Sequence, residues 1–118
     1  MSVDISIDYF NKLDIRIRTI TEVYDHPNAN KLHVLKVKFD SISDRQIVAG
    51  IKNYYSKEEL VNKQISVIVN LEPAVLRGVE SQGMLLAAGD GKDVVLLGSE
   101  KKIENFWMGF FKLIEQND

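Results

Sequence analysis

Few residues in this 118-residue chain could do covalent or metal chemistry. It contains no cysteine, which excludes disulfides, thiolate zinc sites, iron–sulfur clusters and thiol nucleophiles. Of its two histidines, His26 sits beside Pro27 in a turn and His33 lies on or just before a strand. Neither has a serine or carboxylate spaced as in a nucleophile–base–orienter triad, so both read as surface or turn histidines. Two histidines without acidic neighbours at ligand spacing make no metal site. Gly89-Asp-Gly-Lys92 lacks the spacer, the hydroxyl residue and the following helix of a phosphate loop, and there is no Gly-rich dinucleotide fingerprint. No catalytic residue, cofactor or metal is expected.

Binding chemistry is better represented. Leu35, Val37 and Phe39 alternate with Lys36 and Lys38, and Ile15 and Ile17 alternate with Arg16 and Arg18. If the apolar set points inward, Arg16, Arg18, Lys36 and Lys38 share an outer face, where cations attract phosphates without reading sequence. A solvated strand face explains the same pattern. Residues 70–86 hold Asn70, Arg77, Ser81, Gln82 and Met84, with Gly78 and Gly83 permitting tight turns. Amide, hydroxyl and guanidinium groups suit phosphates, 2′-hydroxyls and base edges, and the Met84 thioether suits a base face. A hydrogen-bonded loop that merely closes a barrel is the alternative.

These groups need elements to position them. Ser6 is placed to cap a short helix through about residue 11. A first strand runs from Leu13 to Tyr24, with a phase slip before Ile20 that reads as a β-bulge. Leu35–Phe39, Gln46–Ala49 and Gln64–Leu71 read as further strands, with Asp40–Asp44 a turn. Ser56-Lys-Glu-Glu59 is a capping box opening a short helix between the third and fourth strands. Met84–Ala88 and Val94–Leu97 flank a hairpin turn at 89–92. A bulged first strand and that helix position fit an all-β, five-stranded OB-fold barrel over residues 1–98. Residues 99–118 form a separate extension. There Ile103, Phe106, Trp107, Phe110, Phe111 and Ile114 make an amphipathic helical stripe, either barrel cover or dimer contact. Mixed charges on its polar face disfavour membrane adsorption.

Composition sets the bounds. With 45% hydrophobic and 27% charged residues, the chain is one globular domain rather than a disordered segment. No apolar run is long enough to span a bilayer and no secretory signal opens the chain, so a cytoplasmic location is expected. The net charge of -2 conceals an asymmetry: residues 12–63 carry 10 basic and 7 acidic side chains, the remainder 5 and 10. Near-neutrality therefore does not exclude RNA, although it predicts modest, salt-sensitive binding.

Four separated blocks carry a family resemblance: Phe10-Asn-Lys-Leu-Asp-Ile-Arg-Ile17, His26-Pro-Asn-Ala-Asn-Lys-Leu32, Gln46-Ile-Val-Ala-Gly50 and Asn70 through Ala88. In order and spacing they resemble the tRNA-binding domain family of methionyl-tRNA synthetase C-terminal regions and their free-standing beta subunits. The resemblance implies an OB fold, tRNA binding by shape rather than sequence, and a homodimer. It also implies a free-standing accessory to a catalytic methionyl-tRNA synthetase, since the chain opens on its own Met. RNA contacts are implied at Asn70, Arg77, Ser81, Gln82 and Met84, supported by the cations Lys12, Arg16, Lys31 and Arg45. Departures are Glu72 and Val75 where the family commonly has lysines, Arg18-Thr19 for a Gly-Lys pair, and Ala49 for a serine. A related export-chaperone branch makes a protein-binding scaffold the alternative, favoured by the lost lysines and the aromatic stripe.

Overall fold

The computed structural model describes residues 3–39 and 43–103. Two one-turn helices are present, α1 (Ile7–Phe10) and α2 (Lys57–Leu60), each begun by the serine the sequence nominates. The Ser6 hydroxyl accepts from the Tyr9 amide, and Ser56 and Glu59 close a complete capping box. The strands are β1 (Ile15–Asp25), β2 (His33–Lys38), β3 (Asp44–Ala49), β4 (Gln64–Ile68), β5 (Ala74–Leu76), β6 (Val79–Ser81), β7 (Met84–Leu85), β8 (Ala87–Gly89) and β9 (Val94–Leu96). Five of them form one antiparallel sheet in the order β3-β2-β1-β4-β7, with β5–β6 and β8–β9 as separate hairpins.

β1 is long because it serves two partners. Residues 15–19 pair with β4 and residues 20–25 with β2, and the register shifts between Ile20 and Glu22. The expected bulge is therefore present, one step later, at Thr21. A bulge bends its strand and increases the local twist, so β1 turns the corner of a curled sheet. The backbone groups of Ile20 at this corner are not orphaned: its amide donates to the Lys63 carbonyl and its carbonyl accepts from the Asn62 amide. Inside the curl, Ile20, Leu35, Val37, Ile47, Ile65, Val67 and Val69 form the core with Ile51 and Leu60. Leu60, fully buried, is what the short helix contributes.

Closure depends on residues 81–83, which join the two edges of the sheet. The Gln82 amide donates to the Gln46 carbonyl at 2.7 Å, and the Gln46 amide donates to Gln82 Oε1 at 2.9 Å. The next free edge amide of β3, on Val48, donates to Ser81 Oγ at 3.0 Å. Gly83 has φ 155, and a Cβ there would stand 3.2 Å from the Ile68 carbonyl oxygen. Only glycine lets the chain pass so close to β4.

Three expectations change. The phase of β1 is opposite to the one expected, because antiparallel partners share a face. Arg16 lies opposite Val67 and Arg18 opposite Ile65, both core residues. The arginines thus share a face with the core strands, while Ile15 and Ile17 take the opposite face with Ile68 and Ser66, where Ile15, Ile68 and Ser66 are buried. The segment 70–83 also contains an unexpected hairpin, β5–β6, turned by Arg77 (φ 53) and Gly78 (φ 89). Finally, both histidines are buried rather than superficial. The expected turn at 40–44 is only partly within the described residues. The expected C-terminal helix, with Phe106, Trp107, Phe110 and Phe111, lies outside them.

Candidate nucleic-acid interface

The outer face of β1–β3 is organised in cross-strand rows. Lys38 faces Asp44, Lys36 stands between Glu22 and Gln46, and Val34 stands between Tyr24 and Val48. Lys36 and Lys38 therefore do point outward, as the alternation predicts. Lys36 Nζ donates to Gln46 Oε1 at 3.2 Å, and Gln46 Nε2 donates to the Glu80 carbonyl at 2.8 Å. The lysine row is thereby linked to the β5–β6 hairpin.

Above this face two loops are fastened together, and His26 is the fastener. It is only 5% exposed. Nδ1 accepts from the Asn28 amide at 2.9 Å while Nε2 lies 2.9 Å from the Leu76 carbonyl. Because the first contact needs a lone pair on Nδ1, the ring is the neutral tautomer that donates through Nε2. Asn28 and Arg77 complete the clip: Arg77 Nη2 donates to the Asn28 carbonyl at 3.2 Å, and Asn28 Nδ2 to the Arg77 carbonyl at 3.4 Å. A non-glycine residue at positive φ is costly, and these bonds hold Arg77 in that state. A cleft of about 540 Å³ opens here, lined by Asn28, Ala29, Asn30, Lys31, Leu32 and Arg77.

The proposed RNA-contact residues thus fall into three groups. Lys31, Lys36, Lys38 and Arg77 share the outer face and its clipped loops. Lys12, Arg16, Arg45 and Asn70 gather at the opposite end of β1. There Asn70 accepts from the Asp14 amide and donates to the Lys12 carbonyl, closing the sheet rather than facing outward. Arg16 pairs with Asp14 at 2.7 Å, and that hydrogen bond and charge raise its pKa further. Arg45 lies 3.7 Å over the Phe39 ring and donates to the Val69 carbonyl, a stacked position on the inner side. Lys12 sits over Tyr9 at 4.8 Å and is exposed. The third group is the closure: Ser81 is 4% exposed with its hydroxyl donating to Gly83, and Gln82 bridges to Gln46. Ser81 is thus buried, with its hydroxyl engaged inside the closure. Met84 lies on the far outer face, in one row with Ile68 and Ile15.

Sequence reasoning missed Asn28, Asn30, Gln46 and Tyr24. The one available signal was His26 placed two residues before Asn28, since a ring nitrogen can accept from the i+2 amide as Asx side chains do. At the margin of the face, Asp25 pairs with Lys52 and Lys57, both at 3.1 Å, and these cations hold its carboxyl below the usual carboxylate range. Beside β5–β6 lies an apolar slot of about 440 Å³ walled by Val48, Leu71, Leu76, Met84 and Ala87. Among the described residues no cluster of His, Asp or Glu could hold a metal ion, and no helix is long and apolar enough to cross a membrane.

A curled antiparallel sheet with an outward cationic, amide-rich face under two joined loops defines a class: small β domains able to bind an extended polyanion. The chain belongs to the tRNA-binding domain family, whose model, described as "Putative tRNA binding domain", matches residues 15–105. It is 52% identical over 100 residues to a methionine–tRNA ligase of Thermococcus onnurineus and 53% identical over 100 residues to that of Pyrococcus furiosus. Those matches cover 85% of this chain but only 14% of the length of either relative. Among solved structures it resembles a MetRS related protein from Pyrococcus horikoshii, with TM-score 0.81 and 30% identity over 93% of this chain and 100% of that one. It also resembles the chaperone CsaA of Bacillus anthracis, with TM-score 0.78 and 28% identity over 90% of this chain and 98% of that one.

Proposed function

We propose that this chain is a free-standing, homodimeric tRNA-binding subunit on an OB-type barrel. It presents tRNA to a separate catalytic methionyl-tRNA synthetase in the cytoplasm and itself makes and breaks no bond. The observation carrying this reading is the clip, which joins the 26–32 loop to the β5–β6 hairpin over the outer face of β2 and β3. In OB folds that face and those two loops are the usual oligonucleotide surface. The short helix between β3 and β4, with the Gln82 bridge between sheet edges, supports the barrel reading. Lys31, Lys36, Lys38 and Arg77 supply sequence-independent attraction, and the amides of Asn28, Asn30 and Gln46 supply 2′-hydroxyl and base-edge contacts. Met84, exposed at the end of the buried row Ile15–Ile68, supports self-association.

Titration of unmodified tRNA at several salt concentrations tests this. Affinity should fall linearly on a double-logarithmic salt plot, and Lys36→Ala or Arg77→Ala should each reduce the slope by about 1. A protein that binds no tRNA at low salt ends the reading. A second reading, a protein-binding chaperone, is favoured by the apolar slot beside Met84 and by the likeness to CsaA. It predicts capture of an unfolded model protein, abolished by Leu76→Asp, with no salt-dependent tRNA binding.

A further inference from the structure

Tyr24 stands at the rim of the outer face and makes no use of its ring in the core. Its row partners Val34 and Val48 are each 6% exposed, whereas Tyr24 is 47% exposed. Two residues back on the same face, Glu22 accepts a hydrogen bond from the Tyr24 hydroxyl and thereby raises its pKa. The half-exposed ring is open to solvent on this face. Two cations belong to neighbouring positions on this face. Lys36 lies in the next row of the sheet, opposite Glu22. Arg77 is bonded to the Asn28 carbonyl in the loop that follows β1, four residues beyond Tyr24.

An exposed aromatic ring on a face that also carries cations fits one nucleotide. A base stacked on the ring leaves its 5′ and 3′ phosphates pointing toward positive charge. Base–aromatic stacking is sequence-tolerant because every base has a π face, but it requires an unpaired base. A duplex, whose bases are stacked on one another, can use the lysines and not the ring.

Resting on the reading of this face as an RNA surface, we infer that Tyr24 is a stacking site for an unpaired nucleobase. It makes the outer face select single-stranded stretches of RNA over paired ones. Glu22, in reach of the hydroxyl, holds the ring in place, and Lys36 and Arg77 hold the adjoining phosphates.

The test compares a short single-stranded oligoribonucleotide with a blunt RNA duplex of equal charge, using the full chain and its Tyr24→Ala, Tyr24→Leu and Tyr24→Trp variants. Tyr24→Ala and Tyr24→Leu should weaken single-strand binding by about fivefold to a hundredfold. Duplex affinity and the salt slope should stay unchanged, because stacking releases no counterions. Tyr24→Trp should retain or tighten single-strand binding. In the wild type, the Tyr24 ring protons should shift upfield on adding the single strand. Equal single-strand affinity in wild type and Tyr24→Ala overturns the stacking site while leaving the RNA surface intact. Parallel losses on single strand and duplex overturn it too. A wild type that binds neither RNA at low salt overturns the stacking site and the RNA reading together.

Discussion

Arg77, in the turn of the β5–β6 hairpin, and Ser81, at the end of its second strand, do opposite jobs. Arg77 is exposed on the clip, while Ser81 spends its hydroxyl on Val48 and Gly83. Ser81→Ala leaves the buried Val48 amide without an acceptor, which costs about 1–3 kcal/mol. The urea midpoint should fall accordingly, and the salt slope of tRNA binding should not change. Arg77→Ala should do the reverse, sparing stability and lowering the slope. Residue type alone could not separate them, because a serine is as suited to a phosphate as to a backbone amide; only burial decides. Three carboxyls permit a further prediction at this scale. Asp25 is lowered by Lys52 and Lys57, Glu59 by the amide and hydroxyl of Ser56, and Asp90 by the amides of Asp93 and Lys92. A carboxyl depressed in the folded state stabilises above its unfolded pKa of about 4, and that contribution is lost as pH falls through the folded value. Asp25→Asn with Asp90→Asn should therefore lower the urea midpoint at pH 7, and the difference from wild type should shrink toward pH 3.

Elements were legible where local chemistry settles them. The capping box at Ser56, the Ser6 cap and the 89–92 turn involve neighbours a few residues apart, and each forms as the sequence predicts. Two elements were not legible, for physical reasons. In β1, Ile15, Ile17 and Ile20 are all apolar, so alternation cannot reveal that Ile20, and not Ile15 or Ile17, joins the cluster of Leu35, Val37 and Ile65; a cross-strand partner must decide. The β5–β6 hairpin was hidden because its turn places an arginine at positive φ, where turn rules expect Asn, Asp or Gly. The penalty is met from another element, the 26–32 loop. His26→Ala should remove that support, exposing the Leu76 carbonyl and freeing Arg77. Its effect on tRNA affinity should match that of Arg77→Ala, and the double variant should bind no worse than Arg77→Ala alone. Lys36→Ala combined with His26→Ala should instead be additive, since Lys36 is bonded to Gln46 and not to the clip. Additivity of His26→Ala with Arg77→Ala would show that the clip does not position the arginine.

For the whole molecule, the two outer faces of the curled sheet differ in kind. One carries Lys36, Lys38 and the clipped loops. The other, across β1, β4 and β7, carries the row Ile15–Ile68–Met84, in which Met84 is 52% exposed. Reversing the phase of β1 is what creates this contrast, because it aligns Ile15 with Ile68 and Met84 and puts two arginines on the opposite face. An exposed methionine continuing a buried isoleucine row suits a second copy, and a two-fold pair joined there would leave both cationic faces open. Two such faces raise the effective concentration of the second contact once one tRNA is held, offsetting modest single-site affinity. Met84→Glu places a charge at the exposed end of this row. On the homodimer reading, sedimentation should report dimer for wild type and monomer for Met84→Glu, and tRNA affinity should drop with a shallower salt slope. Trp107→Ala with Phe110→Ala should produce the same change if the C-terminal stripe shares the interface, and leave the dimer intact if it serves elsewhere. A Met84→Glu protein that stays dimeric at micromolar concentration would move the subunit contact off this face, whatever its effect on RNA.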